Sequence, residues 1–225
     1  MSSSLSVYFF SFLLAFCSLF YELVYAEVLS VCLGGTKIQY ITTIALFTCA
    51  LGFGSLSFGK FSSPHTLRRN FFRVELLLML LGGTGPFLIT WLLQPGGVPF
   101  LNTVKLILTY AVIFVIGFLS GFELPSLFAM RKDAEGKILA MDYIGMLAAS
   151  ITFPLLFLPA LGTGASTILV ALTNGAALIW LRDGKKRLPA TLIFYGILFI
   201  LMILVFSLRV ELNEFLSVLY LGRKA

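Results

Sequence analysis

Four carboxylic acids inside long apolar runs are the residues of this sequence that are best suited to chemistry. They are Glu22, Glu75, Glu123 and Asp142, each flanked by aliphatic and aromatic residues. An ionised side chain at the centre of a bilayer costs about 3 kcal/mol or more, so such acids usually face a protein interior and have a partner or a function. Carboxyl groups in this setting bind cations, carry protons or join two helices by a hydrogen bond.

Two of the acids are expected near a membrane surface. Glu75 lies two residues from Arg73, and Asp142 lies five residues from Lys137. For both acids the sequence therefore favours an ion pair or a hydrogen bond at the interface.

The other two acids, Glu22 and Glu123, lie deeper. Glu123 stands eight residues before Arg131, about 12 Å along a helix, and Glu22 stands about 18 Å from the end of its run. For these two, a ligand or proton site and a structural hydrogen bond between helices both remain open. We expect Glu22 to point into the protein and to meet a polar side chain of another helix. Candidate partners are Thr42, Thr43, Thr48, Thr152 and Asn174.

The elements that carry these acids are predicted to be transmembrane helices. Of the 225 residues, 59% are hydrophobic and 12% are charged, and the mean hydropathy is +1.02. A soluble domain carries far more charge, whereas apolar runs of about 20 residues match the thickness of a bilayer core. We predict an all-α polytopic integral membrane protein, with a seven-helix bundle over residues 1–208 and a short amphipathic interfacial helix over 209–225. The spans are approximately 5–33, 36–59, 71–93, 100–130, 138–158, 163–181 and 189–208.

Basic residues concentrate in the loops after the second, fourth and sixth spans, which must all lie on one side of the membrane. Short loops rich in Lys and Arg face the cytoplasm. The N-terminus is thus expected in the cytoplasm and the tail outside, with the chain in the cell inner (plasma) membrane. The net charge of +6 is attributed to this topology, and no nucleic-acid partner is expected. The residues are Lys60, Arg68, Arg69, Arg73, Arg131, Lys132, Lys137, Arg182, Lys185, Lys186 and Arg187.

The sequence offers no pattern typical of a metal site, a cofactor site or a catalytic centre. Cys17, Cys32 and Cys49 lack paired ligand spacing and are expected to be buried as small apolar residues. His65, the single histidine, lies in a basic loop. We therefore expect neither a metal ion nor a cofactor.

Pairs of small residues four positions apart mark faces on which helices can pack closely. These faces serve either the bundle itself, which is the default interpretation, or a partner protein. The pairs are Gly117 with Gly121, Ser55 with Gly59, and Gly145 with Ala149.

The segments FYEL at 20–23 and GFEL at 121–124 form a weak internal repeat. Each lies in the first span of a three-span group, and the predicted topology inverts one group relative to the other. This favours two inverted halves, 5–94 and 100–183, as found in many transporters.

Several segments resemble one known family. YELVYAEVLSVCLGG, ALGFGSLSFGKF, GFLSGFELPSLF and GKILAMDYIGMLAASITFPLLFLPALG are similar to the membrane region of the spermidine-synthase-like family, the polyamine aminopropyltransferases with a helical membrane domain. The resemblance implies that Glu22, Glu75, Glu123 and Asp142 occupy the acidic positions typical of that domain. The soluble synthase domain of the family has no counterpart in the sequence, so aminopropyl transfer is not expected.

The sequence thus predicts a non-enzymatic integral membrane subunit, an assembly or anchoring component of a larger membrane complex. Its expected partners are the lipid bilayer and other membrane protein subunits. The alternative is a small transporter or binding protein for a cation such as a polyamine, which would use the intramembrane carboxylates and aromatic side chains. In that case a cationic small molecule is a further partner.

Overall fold

A computed structural model of the protein describes residues 4–34, 37–61, 66–94, 99–182, 200–201, 203–205 and 207–221. Every regular element in this part of the chain is helical, which confirms the predicted all-α class. The helices are α1 Ser4–Cys32, α2 Lys37–Phe61, α3 Leu67–Leu92, α4 Pro99–Ser120, α5 Glu123–Met130, α6 Glu135–Thr152, α7 Leu158–Arg182 and α8 Arg209–Leu221. A 3-10 turn, Lys132–Ala134, precedes α6, and a π-helical turn, Phe153–Phe157, follows it.

Within the described residues, five helical stretches are long and apolar enough to cross a membrane. His65, the basic residues at 185–187 and most of the predicted span 189–208 lie outside the described residues. The seven-span count therefore stays a prediction. The stretches are Val7–Cys32, Lys37–Phe61, Leu67–Leu92, Phe100–Met130 and Lys132–Gly175.

The stretch predicted as a single fourth span is broken in two. α4 ends at Ser120 and α5 begins at Glu123. Pro125 explains the break, because a proline has no amide hydrogen and its ring clashes with the carbonyl group four residues earlier, here that of Gly121. The hydroxyl group of Ser126 donates a hydrogen bond of 2.5 Å to the carbonyl oxygen of Phe122, which lies at the break. The break places Glu123 in the first turn of a new helix.

The fifth stretch reverses direction at Gly162. This residue has a φ angle of +72°, a conformation that a glycine adopts without steric cost. Before the turn, Ser11 donates a hydrogen bond of 2.7 Å to the carbonyl oxygen of Ile138, and Phe20 packs against Phe157. α6 and the π-helical turn therefore run parallel to α1.

After the turn, α7 runs antiparallel to α3. Thr167 donates a hydrogen bond of 2.8 Å to the carbonyl oxygen of Gly82, and Gly175, further along α7, lies against Met79, earlier in α3. α1, α3 and α6 thus point one way, while α2, α4 with α5, and α7 point the other way.

The bundle has two ends of different character. At the end that we call the basic end, α1, α3 and α6 begin and α2 and α5 end, and Leu14, Phe71, Leu127 and Ile138 pack together there. At the opposite end, α8 packs against the α6–α7 turn, and its Phe215 contacts Phe87 near the end of α3. α8 thus lies at the end away from the start of α1.

Candidate functional site

Three polar side chains meet in the interior of the bundle without completing hydrogen bonds. Tyr21 of α1, Glu75 of α3 and Asn174 of α7 are each 1% exposed. Asn174 is the polar neighbour of both Tyr21 and Glu75. Even so, the Tyr21 hydroxyl, both Glu75 oxygens and both polar atoms of the Asn174 amide lack a partner at hydrogen-bond distance and angle. Buried polar groups are almost always paired in proteins, so this central cluster is an exception.

Glycines of α3 explain how a tyrosine of α1 reaches this position. A Cβ atom at Gly82 would collide with the ring of Tyr21, and one at Gly85 would collide with the hydroxyl group of Tyr25. The Tyr25 hydroxyl donates a hydrogen bond of 2.7 Å to the carbonyl oxygen of Leu81. The segment of α3 that carries these glycines therefore forms a groove that receives two tyrosine rings.

Further acids extend the central cluster. Glu123, 6% exposed at the start of α5, interacts electrostatically with Glu75 and with Asp142 of α6, while Cys17 of α1 lies near Glu75 and Glu123. None of the three acids forms a salt bridge with another residue that the structure describes. The cluster therefore concentrates carboxyl groups in the interior without a basic side chain bonded to them.

Glu75 does not form the ion pair or hydrogen bond that the sequence favoured for it with any residue that the structure describes. It is almost fully buried, whereas Arg73 is exposed. Residues two positions apart on a helix point to different faces, so the short spacing to Arg73 does not bring the two side chains together. The burial of Glu75 inside the bundle follows from the face of α3 on which it lies.

Glu22 lies on another side of α1 and has the partner that was expected of it. It is 7% exposed, and the hydroxyl group of Thr48 on α2 donates a long hydrogen bond of 3.5 Å to its Oε1 atom. Among the other candidates, Thr43 and Thr152 bond to carbonyl groups of their own helices, and Asn174 belongs to the central cluster instead. Glu22 is thus separate from that cluster in its hydrogen bonding.

Gly117 of α4 and Gly121, the residue directly after α4, lie against the backbone of α2. A Cβ atom at Gly117 would collide with the carbonyl oxygen of Phe47, and one at Gly121 would collide with that of Leu51. Gly54 of α2 faces α4 in the same way. The face that carries these small residues therefore packs one helix of the bundle against another.

The remaining small residues differ in their surroundings. Gly145 of α6 lies against the backbone of Phe12, and Ala149 is fully buried. Ser55 lies at the contact with α4, whereas Gly59 is exposed, with open space around its Cα atom. Of the Ser55–Gly59 pair, only Ser55 takes part in helix packing.

A cavity of about 310 Å³ lies toward the basic end of the bundle, and no side chain of the central cluster lines it. Val74 and Phe122 in its wall directly precede Glu75 and Glu123 in the sequence. Its wall is mainly aromatic and apolar, formed by Phe61, Asn70, Phe71, Arg73, Val74, Phe118, Leu119, Phe122 and Ser126. In the described part of the chain, no three His, Cys, Asp or Glu side chains are grouped so as to hold a metal ion.

Sequence reasoning missed the grouping of Tyr21 with Glu75 and Asn174. Asn174 was considered only as a partner of Glu22. The signal that could have found the cluster is the glycine-rich segment 82–85 of α3, since glycines in an apolar helix mark the close approach of a neighbouring helix.

The structure thus defines a class of protein: an all-helical bundle of apolar helices around buried acids. Comparisons with known proteins go further. Polyamine aminopropyltransferases 2 and 1 of Ralstonia nicotianae are each 34% identical to the chain over 176 residues, which is 75% of this chain and 33% and 32% of theirs. The polyamine aminopropyltransferase of Leptospira interrogans is 28% identical over 170 residues, 73% of this chain and 32% of its own length. The chain spans about a third of the length of these curated relatives. No family model and no solved structure matches it.

These similarities confirm the resemblance seen in the sequence: over about three-quarters of its length, the chain is homologous to polyamine aminopropyltransferases. They also correct the predicted function. The relatives carry the name of an enzyme, which contradicts both a non-enzymatic membrane subunit and the cation transporter given as its alternative. We made that prediction because no catalytic domain was recognised in the sequence. The lack of a recognised domain does not show that a chain has no part in the activity of its relatives.

Proposed function

We propose that the chain takes part in aminopropyl transfer to polyamines, as the helical, membrane-embedded portion of a polyamine aminopropyltransferase. The observation that carries this proposal is the 34% identity to proteins of that name over 75% of the chain. The buried acids agree with it, because polyamines are cations at neutral pH and carboxyl groups recognise ammonium groups.

The membrane setting is part of the same proposal. The apolar stretches of the described helices support it, as do the large aliphatic and aromatic side chains that they expose. We place the basic end in the cytoplasm, with α8 at the outer interface and segment 189–208 as a further crossing. Whether other membrane subunits join the chain remains a prediction.

The helix pairing supports two inverted halves. α1 packs along α6, with Gly145 against the backbone of Phe12, and α4 packs along α2, with Gly117 against the backbone of Phe47. If α1 corresponds to α4 and α2 to α6, the two pairs are equivalent. The two halves of the bundle would then be related by an approximate two-fold axis lying in the membrane plane.

Deletion of the gene in its natural host tests the function. Membranes from the deletion strain, supplied with a labelled diamine and an aminopropyl donor, should form much less triamine than wild-type membranes. Expression of the full chain should restore the product. Unchanged triamine formation after deletion would refute the proposal.

Two glycine variants of α6 provide a matched control for this assay. Gly145→Leu should fail to restore the product, because its side chain cannot fit against the backbone of α1. Gly136→Leu should restore it, because nothing lies within 4 Å of the Cβ position there. Equal behaviour of the two variants would show that the packing of the bundle does not matter for the activity.

A further inference from the structure

The cavity toward the basic end lies between the last residue of α2 and the first turns of α3. In the described residues these two helices hardly touch each other, and both pack against α4 and α5, which form the floor. Phe61 and Arg73 in the wall are exposed, so the cavity opens to the outside of the bundle as a cleft. The side-chain amide of Asn70 donates a hydrogen bond of 2.7 Å to the carbonyl oxygen of Phe61, which joins the two helix ends. We call this cavity the α2–α3 cleft.

Arg73 stands in the wall of the cleft on an outward-facing side of α3. Leu76, Leu77 and Leu80 follow it at helical spacing and are exposed as well, so the four side chains share one face. Arg73 lies six residues after Leu67, the first residue of α3, within a stretch that is long and apolar enough to cross a membrane. No acidic side chain that the structure describes forms a salt bridge with it. An arginine in this position needs a counter-charge from outside the chain.

Positive charge gathers at the mouth of the cleft, whereas its deeper wall is apolar. Lys60 directly precedes Phe61, and Arg69 lies one turn before Arg73; both are exposed, and neither forms a salt bridge within the described ranges. Further from the basic end, the wall is formed by Phe118 and Leu119 of α4. The ring of Phe118 packs edge to face on that of Phe122, with ring centroids 5.3 Å apart. The cleft thus has a cationic mouth and an aromatic interior.

An anionic phospholipid has the same order of charge and apolar surface. A guanidinium group binds a phosphate group through charge-assisted hydrogen bonds, and an acyl chain gains from burial against aromatic and aliphatic side chains. Basic pockets between transmembrane helices on the cytoplasmic side are typical binding sites for anionic lipid headgroups. The cleft volume of about 310 Å³ suits part of one acyl chain. A small soluble anion would leave this apolar wall uncovered.

We propose that the α2–α3 cleft binds an anionic phospholipid, with the lipid phosphate at Arg73 and one acyl chain against Phe118 and Phe122. Lys60 and Arg69 add positive potential around the headgroup. The proposal goes beyond aminopropyl transfer and rests only on the membrane setting of the proposed function. It requires a preference for acidic headgroups, which general contact with the bilayer does not give.

Native mass spectrometry of the purified full chain in detergent tests this site. The protein is titrated with phosphatidylglycerol or with phosphatidylcholine of the same acyl chains, and the first phosphatidylglycerol should bind at least tenfold more tightly. Arg73→Gln should weaken phosphatidylglycerol binding at least fivefold, because it removes the charge that pairs with the phosphate group. Lys137→Gln is the matched control, since it removes one charge at an exposed position of α6 outside the cleft wall, and it should bind within twofold of the wild type.

Three results of this titration would overturn the proposal. Equal affinities for the two lipids would show that the headgroup is not recognised. Equal losses in Arg73→Gln and Lys137→Gln would show that only the overall charge of the basic end matters. Displacement of phosphatidylglycerol by millimolar inorganic phosphate would show a site for a free anion instead of a lipid.

A second variant tests the acyl-chain part of the site and does not depend on Arg73→Gln being purified. Val74→Phe places a ring in the cleft, since Val74 is part of its wall, and should weaken phosphatidylglycerol binding several-fold with Arg73 intact. Val115→Phe makes the same change at an exposed position of α4 outside the cleft and should bind within twofold of the wild type. Unchanged affinity in Val74→Phe would show that no acyl chain occupies the cleft and would overturn the proposal.

The titration separates this inference from the proposed function. If aminopropyl transfer depends on the chain but phosphatidylglycerol binds no more tightly than phosphatidylcholine, the lipid site is refuted while the enzymatic function stands. If phosphatidylglycerol binds at Arg73 but deletion leaves transfer unchanged, the lipid site stands and the enzymatic function is refuted.

Discussion

Asn213 of α8 and Gly164 of α7 are joined by a hydrogen bond of 3.0 Å, which the Gly164 amide donates to the Asn213 Oδ1 atom. The side-chain amide of Asn213 in turn donates to the carbonyl oxygen of Leu161. These two bonds bracket Gly162, where the chain reverses between α6 and α7. A residue of the C-terminal helix thus satisfies backbone groups that the reversal leaves without helical partners.

Replacement of Asn213 should loosen this turn. Asn213→Leu leaves the Gly164 amide and the Leu161 carbonyl unpaired, and we expect a loss of about 1–3 kcal/mol in the free energy of unfolding. Thermal unfolding of the purified protein in detergent measures the effect as a lower melting temperature. Glu214→Gln, at the next and exposed position, should leave the melting temperature unchanged, and equal melting temperatures for the two variants would contradict the assigned role of Asn213.

Gly162 should tolerate no side chain. Gly162→Ala forces a positive φ angle on a residue with a Cβ atom, and that atom would collide with the Asn213 side chain. Strain of this kind costs about 1–2 kcal/mol. Gly136→Ala, in the first turn of α6 with open space around it, should instead stabilise the protein slightly. The same thermal unfolding assay compares them, and a Gly162→Ala variant as stable as wild type would show that the turn is not strained.

The sequence predicts the helices well because the length of an apolar run can be read from local composition and compared with the thickness of a bilayer core. It predicts the break before α5 less well. The prediction extended a single span, 100–130, through both Glu123 and Pro125. The ring of Pro125 excludes the carbonyl group of Gly121 from the helix, which is a local rule that was available and outweighs the apolar pattern.

Local composition could not predict which side chains form the central cluster. Glu22 was correctly expected to meet a polar group of another helix, since burial alone demands a partner. Which acids gather at the centre depends on the rotation of each helix about its axis, and glycines such as Gly82 set that rotation through tertiary contacts. The closeness of Glu75 to Arg73 therefore favoured an ion pair or a hydrogen bond, although the face of α3 that carries Glu75 points into the bundle.

Close packing of α2 and α4 should depend on Gly121 and not on Gly59. Gly121→Val would place its side chain against the carbonyl oxygen of Leu51, which is backbone and cannot move aside. We expect a loss of about 1–3 kcal/mol in stability from this overpacking. Gly59→Val makes the same change where nothing lies within 4 Å and should be nearly neutral. Detergent-induced unfolding ranks the two, and a reversed order would refute the packing of α4 on α2.

The proposed orientation in the membrane predicts which positions a membrane-impermeant thiol reagent reaches. With Cys49 replaced by alanine, Gly136→Cys at the basic end should react only after cells are permeabilised. Glu214→Cys on α8 should react in intact cells, because α8 lies at the opposite end of the bundle. Labelling of both positions in intact cells, or of neither, would refute the orientation.

The pair of Glu22 and Thr48 should behave as a clasp between α1 and α2. Glu22→Gln keeps an acceptor oxygen for the Thr48 hydroxyl, so we expect wild-type stability and wild-type product formation in the membrane transfer assay. Thr48→Val removes the donor at nearly constant volume and should cost about 0.5–1.5 kcal/mol, within the range of hydrogen bonds between membrane helices.

Thr42→Val is the control for this pair, because Thr42 is exposed on the same helix, as Thr48 is, whereas the hydrogen bond to Glu22 comes from Thr48, so replacement of Thr42 should be neutral. A double-mutant cycle of Glu22→Leu with Thr48→Val, read by thermal unfolding, isolates the energy of the pair itself. A coupling energy of zero would show that the 3.5 Å contact contributes nothing to stability. The Glu22→Gln variant removes only the ability to ionise. If it loses product formation in the membrane transfer assay while its melting temperature is unchanged, Glu22 has a functional role and not a structural one.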